Sequence, residues 1–177
     1  METQPNAYLD LLKSCLLASI YQESGWQIVK PKNKLKQWLL ALLARKSYVL
    51  VKRRNFDKAI REVGKDWPMF GYTMIGLKRL NNLQECVETI VKQEVPGDLI
   101  ETGVWRGGAV IFMRALLRHH GIRDRVVWAA DSFEGLPKPD VQTYGSKAGQ
   151  DLSEEDLLKV SLEEVKENIS KFGLLDD

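Results

Sequence analysis

Val95-Pro96-Gly97-Asp98-Leu99-Ile100-Glu101-Thr102-Gly103-Val104-Trp105-Arg106-Gly107-Gly108-Ala109, then an apolar run to His119, then Arg125-Val126-Val127-Trp128-Ala129-Ala130-Asp131-Ser132-Phe133-Glu134-Gly135-Leu136-Pro137, decides how this chain folds. Residues 99–102 follow a Pro-Gly break and stop where glycines begin, the pattern of a short buried strand. Gly103, Gly107 and Gly108 allow a sharp turn that a ligand can approach without meeting a Cβ. Residues 109–119 are almost wholly apolar, as in a helix laid on a sheet, and Gly121 is placed to cap it. Residues 126–130 form a second strand. Each strand ends in an acid, Glu101 and Asp131.

Strand, glycine turn, helix, strand and acid make a nucleotide-binding βαβ unit, with the second acid about 20 residues beyond the glycines. The turn is Glu-x-Gly-x-Trp-x-Gly-Gly, which departs from the Gly-x-Gly-x-x-Gly that holds a pyrophosphate. A ligand with an adenosine, a cationic centre and no phosphate, namely S-adenosylmethionine, fits better than a dinucleotide. Against this stands the plain alternative that both acids cap strand ends and the glycines only turn the chain.

Three stretches carry a resemblance: Asp98 to Ala109, Trp128 to Pro139, and the upstream Asp66-Trp67-Pro68-Met69-Phe70-Gly71-Tyr72-Thr73-Met74-Ile75-Gly76-Leu77-Lys78-Arg79-Leu80. In that order they resemble the TylF/MycF-type macrocin O-methyltransferase family, whose members methylate sugar hydroxyls of macrolides and related natural products. The resemblance runs from about Tyr8 to Asp177. It implies an α/β, Rossmann-like class I methyltransferase fold using S-adenosylmethionine. It is incomplete here, carrying the first strands and helices of the sheet and an N-terminal helical extension.

The resemblance also assigns roles. Asp131 would take the ribose hydroxyls, with Ser132, Phe133, Glu134 and Gly135 bordering the adenine. Glu101 and the backbone of Thr102, Gly103, Val104 and Trp105 would hold the methionine end. Thr73, Met74 and Ser161 match cofactor-contacting positions, although cap and core roles account equally well for them. The family's magnesium is held by aspartates of an Asp-Gly-Asp segment and an Asp-Asp pair. Neither is found in place here; Asp176-Asp177 falls in a connector and is assigned to no metal. The catalytic residues and metal ligands are therefore expected beyond Asp177, in a chain read as the amino-terminal portion of such an enzyme.

A chain of 177 residues holds one ordinary domain. Residues 1–65 contain 13 Lys and Arg against 5 Asp and Glu, while residues 66–177 contain 13 against 19. A basic N-terminal helical extension, 1–65, thus precedes the binding domain, 66–177. Helical spacing predicts helices over residues 8–21, 35–44 and 57–63, with a short strand over 48–51. The second helix, rich in leucine and flanked by lysines, suits docking on a partner subunit better than lying on a membrane surface. Thr73 is placed to cap a helix running to Pro96.

Beyond Asp131 the spacing predicts a long loop to Gly149, a short helix from Ser153, and a helix from Ser161 with Leu162, Val165, Ile169 and Phe172 on one face. His119 and His120 read as helix-end residues. Cys15 and Cys86 read as buried free thiols of a reducing compartment. No apolar run reaches a membrane span and no signal peptide opens the chain, so the expectation is cytoplasmic. Partners expected are a small-molecule acceptor and further copies of the chain. Nucleic acid is not expected, since Lys52-Arg53-Arg54 lacks a stacking platform. A non-catalytic docking protein and a dinucleotide-dependent oxidoreductase are the competing classes.

Overall fold

The computed structural model describes residues 6–21, 25–29, 33–145 and 149–176. Chain order is α1 (Ala7–Leu16), β1 (Gly25–Ile28), α2 (Lys34–Ala44), β2 (Val51–Arg54), α3 (Lys58–Glu62), α4 (Gly76–Lys92), β3 (Leu99–Thr102), α5 (Gly108–His119), β4 (Val127–Ala130), α6 (Val141–Tyr144) and α7 (Leu162–Lys171), with a 3-10 turn at Asp156–Leu158 before α7. β3 and β4 pair in parallel, Glu101 opposite Ala129 and Thr102 opposite Ala130, as the helical crossover between them requires.

The apolar sequence of α5 places it at the centre: Ile111, Phe112, Leu116 and Leu117 are completely buried. Burial of each such side chain contributes about 1.5–3 kcal/mol. α5 packs on both strands and against α1 and α4, and Leu9, Leu16, Leu80, Val87, Val165 and Ile169 complete one core. α1 is thus an integral layer of this body. Its Lys13, 5% exposed, crosses to Asn81 Oδ1 of α4 at 2.8 Å and lies over the Phe112 ring.

Several expectations need correction. Residues 99–102 are not buried on both faces: Leu99, Val127 and Ala129 face the core, whereas Ile100 and Trp128 are 63% and 56% exposed, because only the α5 side is covered. The extension is not purely helical. β1 and β2 form an antiparallel hairpin, Ile28 opposite Val51, whose first strand is only four residues long and whose second carries the exposed Lys52 and Arg53. The first helix stops at Leu16, where Ala18 takes a positive φ of 49°. Its expected end at Ser24 lies outside the described residues.

Thr73 does not cap α4. That helix starts after Ile75, with no side-chain cap, and the Thr73 hydroxyl instead accepts the Ile75 amide at 3.3 Å in a local turn. Cys86 is exposed, not buried, on the outer face of α4, while Cys15 is half-buried. Ser153 starts no helix; its amide and hydroxyl both bond Asp151. Asp140 caps the short α6 inside the expected loop. Leu162 is 38% exposed, off the buried stripe of α7.

Candidate cofactor site

The two strand-end acids meet at the carboxyl edge of the parallel pair, on either side of the glycine turn. Gly103 leaves β3 with φ +85° while its amide still bonds the Ala130 carbonyl at 3.0 Å. A Cβ there would have nothing within 4 Å, so the turn is open above Gly103. Trp105, at φ +49°, and Gly107, at φ +84°, then reverse the chain into α5.

Gly107 is the N-cap of α5 and has no side chain to bond the first free amides. Glu101 supplies the missing acceptor from the neighbouring strand: its Oε2 takes the Val110 amide at 3.1 Å. Burial pushes the Glu101 carboxyl up to about 7, against the pull of that amide, and the charge of nearby Asp131 adds to the rise. An acid so placed is only partly compensated, and a cationic group beside it would restore its charge.

Asp131 lies in the opposite electrostatic situation. Partial burial works to raise its pKa, but the amides of Phe133, Val104, Trp105 and Ser132 outweigh this and hold it below the usual carboxylate value. Oδ2 accepts from Val104 at 2.6 Å and Oδ1 from Phe133 at 2.9 Å. Each carboxylate oxygen has two lone-pair directions, so both retain capacity for a ligand hydroxyl.

Around these acids the structure gathers Thr102, Gly103, Val104 and Trp105 on one side and Ser132 and Phe133 on the other. Ser132 is exposed, and its Oγ accepts the Glu134 amide at 3.3 Å. Phe133 is half-buried against the core at φ +58°. Gly135 abuts Lys159, whose Cγ would lie 2.8 Å from an added Cβ. Thr73 is buried at the α5 N-terminus, where Gly108 donates to the Tyr72 carbonyl at 2.9 Å. Met74, half-buried, is the next residue. Ser161 begins the helix that packs on the turn through Asn168 and Arg106, and its hydroxyl caps α7 by accepting the Glu164 amide at 3.2 Å.

Sequence reasoning missed two participants. Asp98, at the other end of β3, binds the Val126 amide and the Trp128 indole, tying the strand starts together. Arg106 reaches from the turn to the Met69 and Gly71 carbonyls. Being an arginine inside a glycine-rich run was the only signal for it.

Magnesium fits poorly with the residues present. Among the described residues no three His, Cys, Asp or Glu side chains gather as a metal site. Asp176 is engaged by Arg114, Nε to Oδ2 at 2.7 Å and Nη2 to Oδ1 at 2.8 Å.

A parallel βαβ unit with an open glycine turn between two strand-end carboxylates defines a partial Rossmann-like α/β fold. Known proteins narrow this. The profile of the family described as Macrocin-O-methyltransferase (TylF) matches residues 5–177, and the chain belongs to that family.

A Streptomyces olivaceus protein, 8-demethyl-8-(2,3-dimethoxy-alpha-L-rhamnosyl)-tetracenomycin-C 4'-O-methyltransferase, is 43% identical over 177 residues, covering 99% of this chain and 60% of that protein. Mycinamicin III 3''-O-methyltransferase of Micromonospora griseorubida is 43% identical over 175 residues, covering 96% and 60%. The solved structure of the O-methyltransferase NovP superposes with a TM-score of 0.75 at 38% identity, over 96% of this chain and 60% of that one. The chain thus spans about 60% of the length of these relatives.

Proposed function

We propose that this chain binds S-adenosylmethionine and serves an O-methyltransferase acting on a sugar hydroxyl of a glycosylated natural product. The observation that carries this reading is the pair Glu101 and Asp131 flanking the open turn at Gly103, with Asp131 holding the Val104 amide. The relatives named above are O-methyltransferases of such compounds.

In this reading the Asp131 oxygens accept the two ribose hydroxyls, and Phe133 offers a ring face beside the adenine. Glu101, partly compensated by a single amide, counters the ammonium of the methionine moiety. The cofactor supplies an electrophilic methyl on a sulfonium. The chain's own work is to fix that end against the α5 N-terminus, so that an acceptor hydroxyl can approach in line; such positioning can lower a barrier by several kcal/mol.

A cytoplasmic setting and self-association complete the proposal. Among the described residues no helix is long and apolar enough to cross a membrane. Trp38, Leu39, Leu42 and Leu43 of α2 are all exposed, as a subunit contact requires. The oxidoreductase alternative loses ground to the family match.

Calorimetric titration with S-adenosylhomocysteine tests the cofactor reading. Binding is expected, weakened at least about tenfold in Asp131→Asn through loss of a charged acceptor. Equal affinity in both proteins removes Asp131 from the site, and no binding by the unaltered chain overturns the reading.

A further inference from the structure

Resting on that cofactor reading, we propose that Arg106 is a positioning residue. It locks the turn of residues 104–107 in the shape that receives the amino-acid end of S-adenosylmethionine. Its Nη1 donates to two carbonyls of a separate segment, Met69 at 2.7 Å and Gly71 at 3.1 Å. That segment continues into Tyr72, whose carbonyl takes the Gly108 amide at the head of α5. The guanidinium therefore fixes the turn and the helix start to one common backbone.

The same guanidinium lies 4.5 Å from the centre of the Trp105 ring. Trp105 holds a left-handed backbone, unfavourable for a residue bearing a large side chain, so its neighbours must impose it. Two do so: the Arg106 stack, and the Leu157 carbonyl, which accepts the indole N–H at 2.7 Å. On the far side the Arg106 carbonyl accepts from Asn168, which is 4% exposed in α7. Three segments distant in sequence thus converge on two consecutive residues whose backbone lies next to Glu101 and Asp131. Arginine suits the task because one of its nitrogens, Nη1, serves both carbonyls while the planar guanidinium lies against an indole; a lysine ammonium has donors enough for the carbonyls but no planar face to stack.

The test measures S-adenosylhomocysteine and 5′-methylthioadenosine binding side by side, since the second keeps the adenosyl thioether and lacks the amino acid. Arg106→Ala is expected to weaken S-adenosylhomocysteine by roughly tenfold or more, Arg106→Lys by less, and neither to change the methylthioadenosine affinity. Trp105→Phe keeps the ring but loses the bond to Leu157; it is expected to show the same selective loss and decides the matter should the arginine variants not fold. Equal losses for both ligands, or none for either, overturn the positioning role. Failure of the unaltered chain to bind either ligand overturns the cofactor reading itself and is distinguishable from both.

Discussion

Replacing Glu101 by glutamine isolates the energetic cost of keeping an acid under the first turn of α5. In the folded chain its carboxyl titrates near 7, against 4.5 in the absence of the fold. Below about pH 4.5 it is protonated in both states and imposes no charge penalty. Between 4.5 and 7 the unfolded chain has lost this proton while the folded chain retains it, so stability falls as pH rises and levels off above 7. A displacement of this size corresponds to roughly 3 kcal/mol across the window. The depressed carboxyls, Asp98, Asp131, Asp140 and Asp151, act oppositely. Their contribution is complete above the unfolded value of 3.8 and is lost only in more acidic solution.

Glutamine keeps an oxygen for the Val110 amide and removes the titration. Urea denaturation of both proteins at intervals from pH 5 to pH 8 should therefore show Glu101→Gln gaining stability relative to the parent as pH rises, by up to about 3 kcal/mol. The same acid should release a proton when a cationic ligand binds below pH 7, seen as a dependence of calorimetric heat on buffer ionisation. Parallel stability curves across the whole window would refute the argument.

Three other outcomes are expected. Arg61 is 5% exposed, paired with Asp66 at 2.8 Å, bonded to the Leu17 carbonyl and stacked on Phe56; Arg61→Ala should cost about 3–5 kcal/mol in denaturant unfolding, and adding Asp66→Ala should cost far less than the two single losses together. Gly108→Ala would set a Cβ 2.5 Å from the Tyr72 carbonyl oxygen, so the melting temperature should drop by the equivalent of about 1–3 kcal/mol as the backbone of residues 72–73 is pushed aside. Light scattering should find the parent chain self-associated through the exposed apolar face of α2, and Leu39→Lys should weaken that association about tenfold or more; a monomeric parent at micromolar concentration would contradict this.

The central unit was legible because its signals are local and agree. A Pro-Gly break, the Leu99-Ile100 pair and clustered glycines define β3 and its turn, and a long, mostly apolar stretch interrupted only by Arg114 and Arg118 reads as a covered helix such as α5. The acids were legible because strand ends in such units face the ligand. What the sequence hid depends on tertiary context. Gly25 to Ile28 alternates over only four residues, too short a run to announce a strand apart from its pairing with β2. Thr73 has the chemistry of a cap, yet α4 begins at Gly76, whose φ of +77° and contact with the Gly64 backbone fix the start by packing. Cys86 lies beside buried Val87, and only the rotation of α4 decides which faces water. Arg106 was overlooked because its partners are main-chain carbonyls, which leave no trace in residue identity.

α2 buries none of its residues, which has a thermodynamic consequence for how different parts of the chain breathe. A helix of this length has little tendency to persist in water unless something packs against it. Its amide protons should trade with deuterated solvent within moments through local fraying, whereas those of α5 should wait for the whole body to open. The same polypeptide would thereby hold two clocks, one set by helix–coil exchange and the other by the free energy of global unfolding.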